Sequence, residues 1–63
     1  MRIIRLKEVM NKTGLSRSTI YRQIAEGVFP LSVSLGGKAK GWLESEVEAW
    51  ILSRIAERDK NIG

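Results

Sequence analysis

Residues 16–22 concentrate cationic, hydroxyl and aromatic side chains in one short segment. They include Ser16, Arg17, Ser18, Thr19, Tyr21 and Arg22. An arginine can donate two hydrogen bonds to guanine, hydroxyl groups can bond to bases or phosphates, and an aromatic ring can contact a sugar or a thymine methyl group. The pattern predicts a helix that reads the major groove of DNA. The alternative is the solvated basic face of an ordinary helical hairpin.

Two further cations, Lys38 and Lys40, follow the Gly36–Gly37 pair. Before this pair Leu31, Val33 and Leu35 alternate with serines, which is the period of a β-strand, so residues 31–43 are predicted to form a β-hairpin. Lysines at a hairpin tip can reach a phosphate backbone or enter a minor groove. The alternative is that they protect an edge strand from aggregation.

Two helices should precede this hairpin and position the basic segment. Apolar residues spaced by about 3.6 predict a first helix at residues 6–13 and a second at residues 17–26. Between them Gly14 permits a left-handed backbone and Ser16 is a favourable N-cap. Gly27 should end the second helix. Two short helices joined by a glycine turn are typical of a helix-turn-helix.

A third helix is expected to begin near Ser45, because Ser45 and Glu48 have the spacing of a capping box. Its apolar stripe would contain Val47, Trp50, Ile51 and Ile55. Glu44, Glu46 and Glu48 could form a carboxylate cluster for a metal or for acid–base chemistry. Their position at a helix start instead favours interaction with the helix dipole.

Trp42 and Trp50 fall on predicted inward positions, so we expect core packing rather than stacking on single-stranded nucleic acid. Leu52 lies off the apolar stripe, and Ile55 and Ile62 lie toward the end of the chain. These three side chains could form a partner-binding edge. Scattered apolar residues are nevertheless ordinary on protein surfaces.

The composition argues against catalysis and metal binding. Cysteine and histidine are both absent, so disulfides, the usual zinc ligand sets and Cys- or His-based catalysis are not available. We expect no enzyme activity and no cofactor. The chain has neither a signal-peptide pattern nor the ~20 apolar residues of a membrane span, so a cytoplasmic protein without membrane contact is expected.

Charge is unevenly distributed along the 63 residues. Residues 1–40 carry eight basic and two acidic side chains, whereas residues 41–63 carry three basic and five acidic ones. A polyanion would be attracted to the first part and repelled by the second. We therefore expect residues 1–63 to form one small domain that binds double-stranded DNA through its first two thirds.

Several ordered blocks together resemble the AlpA family of prophage regulators. They are Leu6-Lys7-Glu8-Val9, Thr13 to Arg22, Gly27-Val28-Phe29-Pro30, Gly36-Gly37-Lys38, and Gly41 to Ile51. The resemblance covers about residues 3–55. It implies a small α+β winged helix-turn-helix of the MerR-like type, related to excisionases, with three helices and a two-stranded β-hairpin wing. At Leu31-Ser32 the chain lacks the basic residue and proline common in such proteins, so no phosphate contact is carried over there.

The resemblance implies a sequence-specific transcriptional regulator of a prophage or integrative element, which could also act as an excisionase. The alternative is a protein-interaction module whose basic face binds an acidic partner such as an integrase. Because nothing resembles a coiled coil or an effector domain, no small-molecule effector is expected. Binding as a monomer to short sites is expected, with neighbouring copies on DNA touching through Ile55 and the tail.

Overall fold

A computed structural model describes the backbone of residues 1–62 and the side chains of residues 1–60. In chain order the elements are β1 (Ile3–Ile4), α1 (Leu6–Thr13), α2 (Arg17–Ala25), β2 (Val33–Ser34), β3 (Lys40–Leu43) and α3 (Glu44–Ile62). The predicted bounds of the first helix are confirmed, and those of the second differ by one residue. The described chain is a small α+β fold of three helices and one antiparallel sheet.

The turn between α1 and α2 is held by local bonds that its residue types favour. Gly14 adopts a left-handed backbone with φ 73°, and its N–H donates to the Met10 carbonyl at 2.8 Å. The Thr13 hydroxyl donates to the Val9 carbonyl and accepts from the Leu15 N–H. Ser16 then caps α2, its Oγ accepting from the Thr19 N–H at 3.3 Å. These bonds satisfy backbone groups that helix ends leave without partners.

The end of α2 is a Schellman turn. Gly27 has φ 76° and donates to the Ile24 carbonyl, while the Val28 N–H donates to the Gln23 carbonyl, both at 3.0 Å. This pattern needs a left-handed residue after the helix, which glycine supplies without a Cβ penalty. The turn directs the chain away from α2 into the segment that leads to β2.

Two tryptophans hold that segment in place. The Trp50 Nε1–H donates to the Val28 carbonyl at 2.7 Å, and the Trp42 Nε1–H donates to the Pro30 carbonyl at 3.1 Å. Between these carbonyls the Phe29 ring is buried, with its centroid 4.8 Å from that of Trp50. The expectation that both tryptophans pack in the core is confirmed, although Trp50 is only half-buried.

The sheet has three strands, in the order β1-β3-β2. The predicted two-stranded hairpin is formed by β2 and β3, whereas the additional strand β1 was not predicted. Ile3 pairs with Leu43 and Ile4 with Trp42, while Val33 pairs with Gly41. A two-residue strand has no alternation to detect, and β1 exists only because β3 offers it a partner. The sheet thus joins the start of the chain to the hairpin.

The core lies between the sheet and the three helices. Its buried side chains are Ile4, Val9, Ile20, Phe29, Trp42 and Val47. On the opposite face of the sheet Val33 and Leu35 remain exposed, at 40% and 44%. The apolar side of the alternating β2 segment therefore points away from the core.

The third helix starts at Glu44, directly after β3, so the predicted start near Ser45 is right within one residue. The predicted capping box is wrong. Ser45 lies inside the first turn rather than at its start, because β3 continues directly into the helix. The Ser45 side chain makes no hydrogen bond among the described residues. The Glu44 N–H donates to the Arg2 carbonyl at 2.8 Å. Glu48 instead accepts from Lys12. None of the described helices is long and apolar enough to cross a membrane.

Candidate nucleic-acid interface

The N-terminal turn of α2 presents three hydroxyl groups that are already bonded to one another. The Ser16 Oγ donates to the Thr19 Oγ1 at 2.9 Å and lies 3.3 Å from the Ser18 Oγ. Ser16 and Ser18 are exposed, and Thr19 is half-buried. These bonds fix the orientation of the hydroxyls, each of which can still exchange a bond with an incoming acceptor or donor.

Arg17 and Tyr21 lie one turn apart on α2 and are in contact. The Arg17 guanidinium carbon is 5.8 Å from the centroid of the Tyr21 ring, within the range of a cation–π interaction. On its other side Tyr21 meets the ring of Trp42 at 6.5 Å and an interplanar angle of 62°. Tyr21 is thus half-buried between α2 and β3 rather than fully on the outer face of the helix. Arg22 is exposed on the same helix.

The hairpin turn carries the two predicted lysines. Gly36 and Gly37 both have positive φ, at 99° and 54°, and the turn is closed by bonds from Leu35 N–H to the Ala39 carbonyl and from Ala39 N–H to the Gly36 carbonyl. Lys38 lies at the turn and Lys40 begins β3, and both side chains are exposed. The turn therefore holds two cations on a defined backbone.

A basic cleft of about 430 Å³ opens where α1, α2 and the hairpin meet. It is lined by Arg5, Leu6, Lys7, Arg17, Tyr21, Lys38, Lys40 and Trp42. Five of these eight residues are cationic and none is acidic. In this cleft the fold brings four of the predicted site residues together, namely Arg17, Tyr21, Lys38 and Lys40. The other four predicted residues, Ser16, Ser18, Thr19 and Arg22, lie outside its lining.

Arg5 and Lys7 line the basic cleft but were not among the predicted site residues. The signal in the sequence was only that the first seven residues contain three cations. Arg5 immediately precedes α1 and Lys7 lies in its first turn, and both side chains are exposed. Their placement beside α2 depends on how α1 packs, which the local sequence does not encode.

Two of the three acidic side chains at the start of α3, Glu44 and Glu48, form ion pairs with cations away from the basic cleft. Glu44 lies 2.7 Å from the Arg2 guanidinium and 3.3 Å from the Lys12 ammonium, and Lys12 also contacts Glu48 at 3.3 Å. The Lys12 ammonium, together with the charge of Arg2, lowers the pKa of Glu44. Hydrogen bonds to Glu44 and Glu48 raise the pKa of Lys12. Among the described residues no group of three carboxylates, cysteines or histidines could hold a metal ion.

The apolar residues considered as a partner-binding edge are exposed where they are described. Leu52 is 65% exposed and Ile55 is 40% exposed. Ile55 borders a groove of about 610 Å³ whose apolar lining includes Leu15, Trp50 and Ile51. The side chain of Ile62 lies outside the described residues. The partner-binding edge stays a prediction.

These features define a small α+β domain with three helices, an antiparallel sheet and one strongly cationic cleft. Residues 2–55 match the sequence profile of the family described as "Prophage CP4-57 regulatory protein (AlpA)". The chain belongs to this AlpA family of prophage regulatory proteins, as the ordered sequence blocks had predicted.

Two similar proteins illustrate the relationship. The chain is 58% identical over 59 residues to "Uncharacterized protein ORF88" of Enterobacteria phage P4, an alignment covering 94% of this chain and 67% of the phage protein. It is 38% identical over 60 residues to the "DNA-binding transcriptional activator AlpA" of Escherichia coli strain K12, covering 86% of each chain.

Proposed function

We propose that this protein is a sequence-specific transcriptional regulator that binds double-stranded DNA as a winged helix-turn-helix, and that it is not an enzyme. The observation that carries the proposal is the basic cleft. Cations from three separate elements converge there without a lining carboxylate, an arrangement that attracts a polyanion. The description of the Escherichia coli relative as a DNA-binding transcriptional activator supports the same function.

In the proposed complex α2 enters the major groove by its N-terminal end. An α-helix fits this groove, and N-terminal residues of a recognition helix meet the base edges. Arg17 donates to a guanine, and Tyr21 contributes to sequence preference. The hydroxyl groups of Ser16, Ser18 and Thr19 bond to bases or phosphates, and Arg22 contacts the backbone.

The hairpin serves as the wing in this proposal. Lys38 and Lys40 contact phosphates or enter the adjacent minor groove, while Arg5 and Lys7 extend the contact surface along the backbone. These contacts add affinity without distinguishing sequences, because every base pair carries the same phosphates. Base preference is therefore expected from α2, and general affinity from the other cations of the basic cleft.

Selection from a pool of random DNA duplexes tests the proposal. We expect the bound fraction to be enriched in a defined short sequence. Arg17→Ala should lose about 1 to 3 kcal/mol of discrimination at one base pair of that sequence. The double variant Lys38→Ala/Lys40→Ala is the matched control, which should weaken binding to all duplexes without changing the selected sequence.

The alternative function is that of an interaction module that binds an acidic protein. To test it, polyglutamate is added as a competitor to the bound, selected duplex. We expect polyglutamate to displace the bound duplex only at charge concentrations far above those at which unlabelled selected duplex displaces it. A pool that shows no enrichment, together with equal competition by polyglutamate, would contradict DNA recognition and favour the protein-interaction module.

A further inference from the structure

Resting on the proposed function, we propose that Tyr21 is a positioning residue for Arg17. Its aromatic ring, held against Trp42 of the hairpin, sets the direction of the Arg17 guanidinium and thereby the base preference of α2. The phenol hydroxyl is not needed for this role. Tyr21 would then link the recognition helix to the wing.

Arg17 holds its guanidinium over the Tyr21 ring. Its guanidinium carbon lies 5.8 Å from the Tyr21 centroid, and no carboxylate lies within ion-pair distance of Arg17 among the described side chains. The aromatic ring is therefore the group that restrains an otherwise solvated side chain. A guanidinium donates hydrogen bonds in its plane and stacks through its faces, so contact with Tyr21 leaves its donors free for a guanine.

The Tyr21 ring in turn lies against Trp42 of the hairpin. Trp42 supports the ring edge-on at 6.5 Å, and Trp42 is itself 1% exposed and bonded through Nε1 to the Pro30 carbonyl. A ring supported by a buried residue has few alternative rotamers. The restraint on Arg17 thus comes from the hairpin and the core, whereas an i,i+4 pair on an isolated helix would supply it only weakly.

Base discrimination is the readout that separates positioning from general stability. With the duplex selected by the wild-type protein and its single-base-pair variants, Tyr21→Phe should preserve discrimination. Tyr21→Leu should reduce it about two- to fivefold at the base pair read by Arg17, which corresponds to the strength of an exposed cation–π contact. Arg17→Ala should reduce it about 5- to 150-fold. In the Arg17→Ala background Tyr21→Leu should cause no further loss.

A measurement on the free protein keeps this proposal separable from the proposed function. Ring currents of Tyr21 should shift the Arg17 side-chain protons upfield in the NMR spectrum. Tyr21→Phe should retain this shift and Tyr21→Leu should remove it. Tyr21→Met, which fills the same space with a flexible chain, serves as a second variant if Tyr21→Leu does not fold.

Three results would overturn the inference. Tyr21→Leu could weaken binding to all duplexes equally, Tyr21→Phe could lose as much discrimination as Tyr21→Leu, or the Arg17 protons of the free protein could lack the ring-current shift. A normal shift combined with a wild-type protein that binds all duplexes alike would instead refute sequence-specific recognition by α2 and leave the contact between Arg17 and Tyr21 intact.

Discussion

The salt dependence of DNA binding offers a quantitative test of the basic cleft. Four of its lining cations, Arg5, Lys7, Lys38 and Lys40, are assigned to the DNA backbone rather than to a base, and Arg22 outside the lining makes a fifth. If each neutralises one phosphate of B-DNA, the slope of log K against log salt should be about −4.5. Raising the salt from 50 to 200 mM should then weaken binding about 500-fold. Fluorescence anisotropy with the selected duplex measures both quantities.

Removing one cation should change the slope by a predictable amount. Lys7→Ala should reduce its magnitude by about 0.9, because one fewer counterion is released. Lys60→Ala makes the same change in net charge near the end of α3, outside the lining of the cleft, and should leave the slope unaltered. A wild-type slope near zero, or equal effects of the two substitutions, would refute the assignment of phosphate contacts to the cleft.

Three further predictions concern stability and are checked by circular-dichroism melts. Trp50→Ala removes the 2.7 Å bond to Val28 and should cost about 3 kcal/mol, leaving a domain of this size largely unfolded; a melt close to wild type would show that the indole contributes little. Gly41→Ala would force a Cβ against the Ile3 side chain and should cost about 1 to 3 kcal/mol, part of which Ile3→Ala should restore; an unchanged melting temperature would contradict this close approach. Because ion pairing lowers the pKa of Glu44, its stabilisation is complete above about pH 4.5 and is lost as the pH falls through the lowered value. The advantage of wild type over Glu44→Gln should therefore shrink below pH 4.5, and a difference independent of pH would exclude the ion pairs as its source.

Local sequence signals were sufficient for the elements that depend on neighbouring residues. The bounds of α1 and α2 follow from apolar spacing, and their connection follows from Gly14 and Ser16, whose conformations and bonds form within a few residues. The hairpin follows from its period-two alternation and the Gly36–Gly37 turn. The family was predicted from the order of short sequence blocks along the chain, which is a property of the sequence itself.

Contacts between distant residues were decided only by the tertiary structure. The short β1 strand, the start of α3 without its predicted capping box, and the approach of Arg5 and Lys7 to the cleft all depend on packing between elements. Tyr21 is the clearest case. The sequence predicted it only as one of the residues that read the major groove, whereas contact with Trp42, 21 positions later, leaves its ring half-buried. Residue types and periodicity therefore determined which side chains are suited to contact DNA, but the meeting of three elements determined which of them share one surface, because no local pattern encodes how separate elements dock.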